Sequence, residues 1–319
     1  MSDEAHLNRS VTLHFMGDPG RANFHRILGW ICDELSNRSG PYTRVAIWNG
    51  LGFVDNVREV GRGQKDLAIA TPASFVAMAV NGVGPYADEP FPNLRAIASM
   101  PQDDRLVLAV DASLGVRTLA DIRERKLPLC IATGVDDGIN HIGMAAHALL
   151  SASGIDVEAW GGGFAPGDWY PQALGSLRSG AANALMQEAI MTPPWQDMAN
   201  EREMVFISFD DQPLENLERQ YGWPRGTLPA GYFKGLEEPF QTLDFSDFLV
   251  FVREDMPDDV AYVLARLMVE TRGAIEARYR HIPPERSPLS YPIQPRKMAA
   301  TPIPLHPGAA RYYASQGLI

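Results

Sequence analysis

Val11-Thr12-Leu13-His14-Phe15, followed by Gly17-Asp18-Pro19-Gly20-Arg21-Ala22-Asn23 and a helical pattern to about Asn37, is the run that sets the architecture. A strand meets a small-residue turn, and the turn opens an amphipathic helix. The same design returns at Leu129-Cys130-Ile131-Ala132, with the turn Thr133-Gly134-Val135-Asp136-Asp137-Gly138-Ile139-Asn140 and a helix to about Ser151. A helix N-terminus behind a glycine turn attracts anions, because bare N–H groups and the helix dipole point at one spot. Two such openings, in two halves of one chain, predict a small carboxylate-type ligand held between two lobes.

Working outward, strands keep alternating with helices. Arg44-Val45-Ala46-Ile47-Trp48 meets Asn49-Gly50-Leu51-Gly52 and a short helix through Val60. Asp66-Leu67-Ala68-Ile69-Ala70 meets Thr71-Pro72, read as a cap and the first helical position. In the second half, Val157-Glu158-Ala159-Trp160 reads as a strand, followed by a glycine turn over 161–168 and a helix to about Arg178. The next strand is Asn183-Ala184-Leu185-Met186-Gln187. This alternation implies an α/β fold, each lobe a mainly parallel sheet flanked by helices.

Arg105-Leu106-Val107-Leu108-Ala109-Val110 and Phe248-Leu249-Val250-Phe251-Val252 read as crossover strands forming a hinge. After the second, Val260, Val263, Leu264, Leu267 and Met268 follow a helical period. The expected lobes are residues 1–108 with 245–319, and residues 109–244, with ligand loops facing an interlobe cleft at strand carboxyl ends. The proline-rich stretch 283–307 cannot be one helix and is expected to wrap the outside.

At 319 residues, 45% hydrophobic and 21% charged, the chain has the make-up of a globular protein with two domains. A net charge of −11 without a Lys/Arg cluster argues against a nucleic-acid surface. Cys32 and Cys130, the only cysteines, read as isolated buried thiols, with no disulfide and no metal set. The polar start Met1-Ser2-Asp3-Glu4-Ala5-His6-Leu7-Asn8 lacks the pattern of a secretory signal. No apolar run approaches the ~18 residues of a membrane span. The expectation is a cytoplasmic chain without direct membrane insertion, periplasmic only if a leader was removed or the start is misassigned.

The candidate ligand residues lie in the turns. Arg21 opens the first helix and suits bidentate pairing with a carboxylate, or is an exposed first-turn residue. Gly17, Asp18 and Asn23 share its turn. Asn49, Gly50, Thr71 and Ser74 stand at strand-to-helix turns, where capping and ligand contact are both open. In the second half the candidates are Thr133, Asp137 and Asn140. Asp136 and Asp137 disfavour an anion there and favour an amine, hydroxyl or protonated group, or else they cap the helix. His25 and His141 sit in the first turns of the two helices. Trp169 and Tyr170 offer an aromatic wall or ordinary packing, and Phe164 joins the candidate ligand residues. Gln187 and Glu188 end a strand as Thr71 does in the first half, and Tyr232 follows a return segment. Gly50-Leu51-Gly52 lacks the dinucleotide fingerprint and no phosphate loop is present, so no cofactor is expected.

The tail Pro304-Leu305-His306-Pro307-Gly308-Ala309-Ala310-Arg311-Tyr312-Tyr313 resembles the closing motif of TAXI-type solute-binding proteins, receptors of one class of TRAP transporters. The similarity extends to Leu228-Pro229-Ala230-Gly231-Tyr232, to residues 251–260, and to Asn56, Gly63 and Asp66-Leu67-Ala68-Ile69. It implies a two-lobed type II periplasmic-binding-protein fold closing on glutamate or another small carboxylate. It also implies a TRAP-type membrane permease as partner if the chain is exported. Both ligand turns depart from that family's glycine-rich first loop and Pro-Gly-Ser-Gly-Thr-like second loop. The alternative is a cytoplasmic, cofactor-independent enzyme on the same fold, a decarboxylase or proton-transfer enzyme acting on an aromatic or dicarboxylic acid. There His25, His141, Asp136 and Glu188 would move protons.

Overall fold

The computed structural model describes residues 6–20, 23–190 and 192–319. Its strands are β1 (Thr12–Met16), β2 (Arg44–Trp48), β3 (Leu67–Ala70), β4 (Leu94–Met100), β5 (Leu106–Asp111), β6 (Cys130–Thr133), β7 (Gly163–Pro166), β8 (Ala184–Glu188), β9 (Met204–Phe206), β10 (Arg225–Leu228), β11 (Phe240–Leu243) and β12 (Phe248–Arg253). Its helices are α1 (Asn23–Asn37), α2 (Val54–Gly61), α3 (Val76–Asn81), α4 (Leu119–Glu124), α5 (His141–Ala152), α6 (Tyr170–Arg178), α7 (Thr192–Glu201), α8 (Asp211–Tyr221), α9 (Asp258–Glu270), α10 (Arg272–Ala277), α11 (Pro295–Ala299) and α12 (Pro307–Ser315). The chain divides into two compact units, Met1–Asp103 with Ser246–Ile319, and Asp104–Phe245.

The first unit carries a sheet in the order β2-β1-β3-β12-β4. β1 pairs in parallel with β2 and β3, while β12 is antiparallel to β3 and β4. The second unit repeats this plan as β7-β6-β8-β5-β9, with β6 parallel to β7 and β8, and β5 antiparallel to β8 and β9. In each sheet one antiparallel strand sits among four that share a direction. Register makes the likeness residue by residue. Leu67 stands beside Phe15 as Ala184 stands beside Ile131, so Gly17 corresponds to Thr133 and Thr71 to Glu188.

All four residues of β3 are buried, as expected of a strand covered on both faces. α1 turns Phe24, Ile27, Leu28, Ile31 and Leu35 inward at helical spacing, and they join Phe15, Leu67, Val250 and Leu264 in the first unit's core. In the second unit Phe233 stacks on Trp195 and Phe206, with ring centroids 5.5 and 5.4 Å away.

Several expectations need correction. Residues 157–160 form a turn, and the strand starts at Gly163. The chain runs so close to β6 there that a Cβ on Gly162 would collide with the Leu129 carbonyl oxygen. Thr71 does not cap a helix: its N–H donates to the Gly52 carbonyl at 3.1 Å and its hydroxyl to the Asp247 carbonyl at 3.4 Å. Pro72 precedes a short 3-10 turn instead of opening a helix. The proline-rich stretch is not one helix, but neither does it merely wrap the outside. Leu289, Ile293 and Met298 are buried in the first unit's core, because prolines break the helix without removing its apolar side chains. Cys32 and Cys130 are free thiols, half-buried rather than buried.

Candidate functional site

In the first unit one side chain ties the loops leaving β1 and β2 to strand β3. Asn56 is fully buried near the start of α2. Its Nδ2 donates to the Gly17 carbonyl at 2.9 Å and the Ile69 carbonyl at 2.7 Å, and its Oδ1 accepts from the Gly52 N–H at 3.3 Å. An amide suits this point, because its NH₂ group donates two hydrogen bonds while its oxygen accepts a third. Gly50 has no room for a Cβ beside that amide.

The first helix opening is not bare. Asp18 is buried and accepts from the N–H groups of Gly20 at 2.8 Å and Phe24 at 2.9 Å. It also holds His25, whose Nδ1 lies 2.8 Å from Oδ1. A carboxylate only accepts, so Nδ1 carries the proton and Nε2 is left for another partner. Gly17 makes room, since a Cβ there would stand 3.0 Å from His25 Nδ1. Asn23 serves the fold, accepting from the Tyr279 hydroxyl at 2.8 Å and donating to the Pro288 carbonyl at 3.3 Å. Asn49 is exposed. The Ser74 Oγ, just beyond β3, is buried and has no hydrogen-bond partner among the described residues. Arg21 lies outside the described residues.

The second opening is capped as well. Asn140 Oδ1 accepts from the N–H groups of Ile142 at 2.9 Å and Gly143 at 3.2 Å. Asp137 Oδ1 accepts from Ile139 and Asn140 at 2.8 and 2.9 Å, while Asp136 is exposed. These turns therefore spend their donors on their own side chains, and the expected pair of bare N-termini is corrected. His141 is fully buried. Thr133, ending β6, is 2% exposed, and its hydroxyl has no partner among the described residues. Gln187 donates through Nε2 to the Gly167 carbonyl, tying the end of β8 to the loop after β7. Phe164 stacks on His147 at 3.9 Å, and Trp169 is exposed and packs edge-on to Tyr170. Tyr232 packs edge-on to Phe233 in the second unit's core, which gives it a packing role.

Sequence reasoning missed Asp104. It is fully buried at the head of β5, and its Oδ1 accepts from Arg105 at 2.7 Å and from Ala189 and Ile190, both at 2.9 Å. Desolvation and then the neighbouring Glu188 hold its carboxyl well above the usual carboxylate range, against those three N–H groups. Desolvation lifts Glu188 in turn, to about 7. The doublet Asp103-Asp104 before an apolar strand was the available signal. Also missed was a cavity of about 380 Å³ in the first unit, lined by Ser99, Gln102, Asp103, Asp247, Ser290 and Lys297. No group of His, Cys, Asp and Glu suited to a metal ion occurs among the described residues. No helix among them is long and apolar enough to cross a membrane.

Two like-built α/β units, with polar loops at the carboxyl ends of their parallel strands, frame the comparisons with known proteins. The profile of the NMT1-like family matches residues 36–317. The chain belongs to the NMT1-like family. No curated protein matches the sequence. Among solved structures, this NMT1-like chain is similar to a Xanthomonas citri protein bound to ATP, with 12% identity, TM-score 0.54, and 96% of this chain and 99% of that one covered. It is similar to a periplasmic transporter at 16% identity and TM-score 0.50, with 96% and 94% covered. A TctC solute-binding protein from Polaromonas is 14% identical at TM-score 0.49, with 97% and 98% covered. Identities this low speak to the fold alone. The NMT1-like chain has an α/β, two-lobed, periplasmic-binding-protein-like fold.

Proposed function

We propose that this chain is a solute receptor that takes a small polar carboxylate at the carboxyl-edge loops of its units, as the resemblance to TAXI-type proteins implies. One observation carries the reading. The Ser74 hydroxyl is buried beyond β3 with no partner among the described residues, a donor the fold itself leaves unused. A buried polar group without a partner costs about 1–3 kcal/mol, which a carboxylate oxygen would recover. His25 supports it from the first turn of α1, since Asn56 fastens the loop after β1 to the end of β3. Its ring, anchored through Nδ1, leaves Nε2 as a second hydrogen-bonding group. A receptor of this kind delivers its solute to a membrane permease, here of TRAP type.

The test is calorimetry and thermal shift with glutamate, glutarate, succinate and benzoate. At least one acid should bind, and Ser74→Ala should weaken it about tenfold, the worth of one charge-assisted hydrogen bond. If none of the acids binds, the carboxylate reading fails.

A second reading is favoured by the Asp18–His25 pair, whose geometry orients Nε2 as a proton acceptor. On that reading the chain is a cofactor-independent proton-transfer enzyme, such as a decarboxylase. Turnover of an aromatic or dicarboxylic acid, abolished in His25→Ala with binding retained, would replace the receptor reading.

A further inference from the structure

The chain's formal charge is −11, yet between Arg272 and Lys297 six Lys and Arg residues stand against two acids. Part of that excess serves the fold: Arg272 donates to the Val269 carbonyl, and Arg296 to the Gly317 carbonyl at 2.6 Å. Arg278 and Arg280, in the turns that follow α10, are exposed, as is Arg26 on α1. Two contacts bring α1 and those turns together. Arg278 Nη1 donates to the Arg26 carbonyl at 3.5 Å, and the Arg26 guanidinium lies 5.9 Å from the Tyr279 ring centre. The Tyr279 ring is buried and its hydroxyl donates to Asn23 at 2.8 Å, which fixes the turn on the start of α1.

Burial holds the Tyr279 hydroxyl above its ordinary value, while the guanidinia of Arg26 and Arg278 pull it down, so both positive charges act at one place. Asp18 opposes them there, but its oxygens are taken by Gly20, Phe24 and His25. Arg26 and Arg278 have no ion-pair partner among the described residues. Arg280 has Glu276 at 3.9 Å, and the other oxygen of that carboxylate accepts the Ile293 N–H at 2.7 Å. By contrast, Arg9 and Arg62 of the same unit hold Asp259 and Glu89 at 2.8 and 2.5 Å. Guanidinia held close together without an acid repel one another, and a planar carboxylate matches the fork of donors on each.

We propose that Arg26, Arg278 and Arg280 form a docking face for an acidic segment of a partner protein. The acidic remainder of the chain selects that kind of anion over an extended one. A membrane surface or a nucleic acid would meet the negative majority of the chain along with the patch. A short run of Asp and Glu reaches the patch alone, within the screening length of about 8 Å at physiological salt. The face goes beyond the receptor reading, because none of its three arginines is a candidate ligand residue. It is joined to the first opening all the same, since Tyr279 holds Asn23 and Asn23 begins α1. A partner seated here touches the helix that carries His25.

The experiment titrates the protein into a dye-labelled octapeptide of alternating Asp and Glu, with the matching Asn and Gln peptide as control. The acidic peptide should bind at low salt and weaken about fivefold at about 0.15 M, while the amide peptide should not bind. Arg26→Gln combined with Arg278→Gln should weaken binding about tenfold, each exposed pair being worth about threefold. Arg26→Lys combined with Arg278→Lys keeps both charges and should retain most of the affinity. Arg117→Gln removes an exposed arginine of the second unit and should change nothing. Thermal melts of these variants should coincide, as for other exposed substitutions. Arg280→Gln alone, with an expected loss of about threefold, decides the matter if the glutamine pair melts early. If the glutamine variants bind as the parent does, or the acidic peptide does not bind, the docking face is overturned. Binding to phosphatidylglycerol vesicles without binding to the peptide would overturn it as well, in favour of a membrane. Each of these outcomes leaves the receptor reading to the solute calorimetry.

Discussion

Asp18 and His25 form one unit of structure: a single buried carboxylate accepts from the N–H of Phe24 at 2.9 Å and holds the His25 ring by Nδ1 at 2.8 Å. Capping of α1 and orientation of the imidazole are thus the same interaction. Asp18→Ala should cost about 1–2 kcal/mol of stability, the usual worth of a helix cap. Denaturant titration checks this. His25→Ala should cost less, because it leaves the cap in place; an equal loss from both would show that the cap contributes no more than the ring contact.

Asn56 is the point at which the loops after β1 and β2 are joined to strand β3. Asn56→Asp replaces the amide donor with a carboxylate oxygen facing the Gly17 and Ile69 carbonyls, and leaves both without their donor. The expected loss is about 2–4 kcal/mol. Hydrogen exchange should show it first in the loop after β1 and at the end of β3, and protection unchanged there would refute the clamp.

Thr133→Val removes a buried hydroxyl that nothing among the described residues satisfies and keeps the volume. The variant should be more stable by about 1 kcal/mol while binding the solute more weakly, since the unpaired group is a cost to the fold alone. A thermal melt alongside calorimetry reads both. Lower stability would mean that the hydroxyl has a structural partner.

Glu188 makes stability depend on pH with a definite sign. Its carboxyl is raised from 4.5 to about 7 in the folded chain. The folded state therefore holds the proton more tightly than the unfolded one. The stability gained this way is fully present below the unfolded value and is lost as pH rises through about 7. The second unit should lose stability between about pH 5 and pH 8, and Glu188→Gln should make that loss smaller, the buried Asp104 carboxyl keeping its own share. Melting curves of both proteins across that range decide it; parallel pH profiles would sink the assignment.

Much of the fold was legible because it is written in local pattern. The apolar positions of α1 and α9 recur at helical spacing, and the runs 11–15, 66–70 and 183–187 carry buried-strand composition. Those signals need only near neighbours along the chain. The turn at 157–160 was misread because an apolar Val157-Glu158-Ala159-Trp160 looks like a strand, whereas the pairing is taken by Gly163 beside Cys130. Asp137 was weighed as a cap, and its carboxylate takes the N–H groups of Ile139 and Asn140, since capping acts within three residues.

The sequence by itself determined the alternating elements, the glycine turns at strand ends and the candidate residues in them, because backbone conformation and amphipathic spacing are local properties. Only the tertiary structure decided which of those residues remain free to act. Asn56, Asp104 and Glu188 owe their states to groups as much as 86 residues away, where burial and hydrogen bonding are set by strands that meet across the sheet. A side chain's chemistry depends on what it touches after folding, and that contact has no fixed distance in sequence.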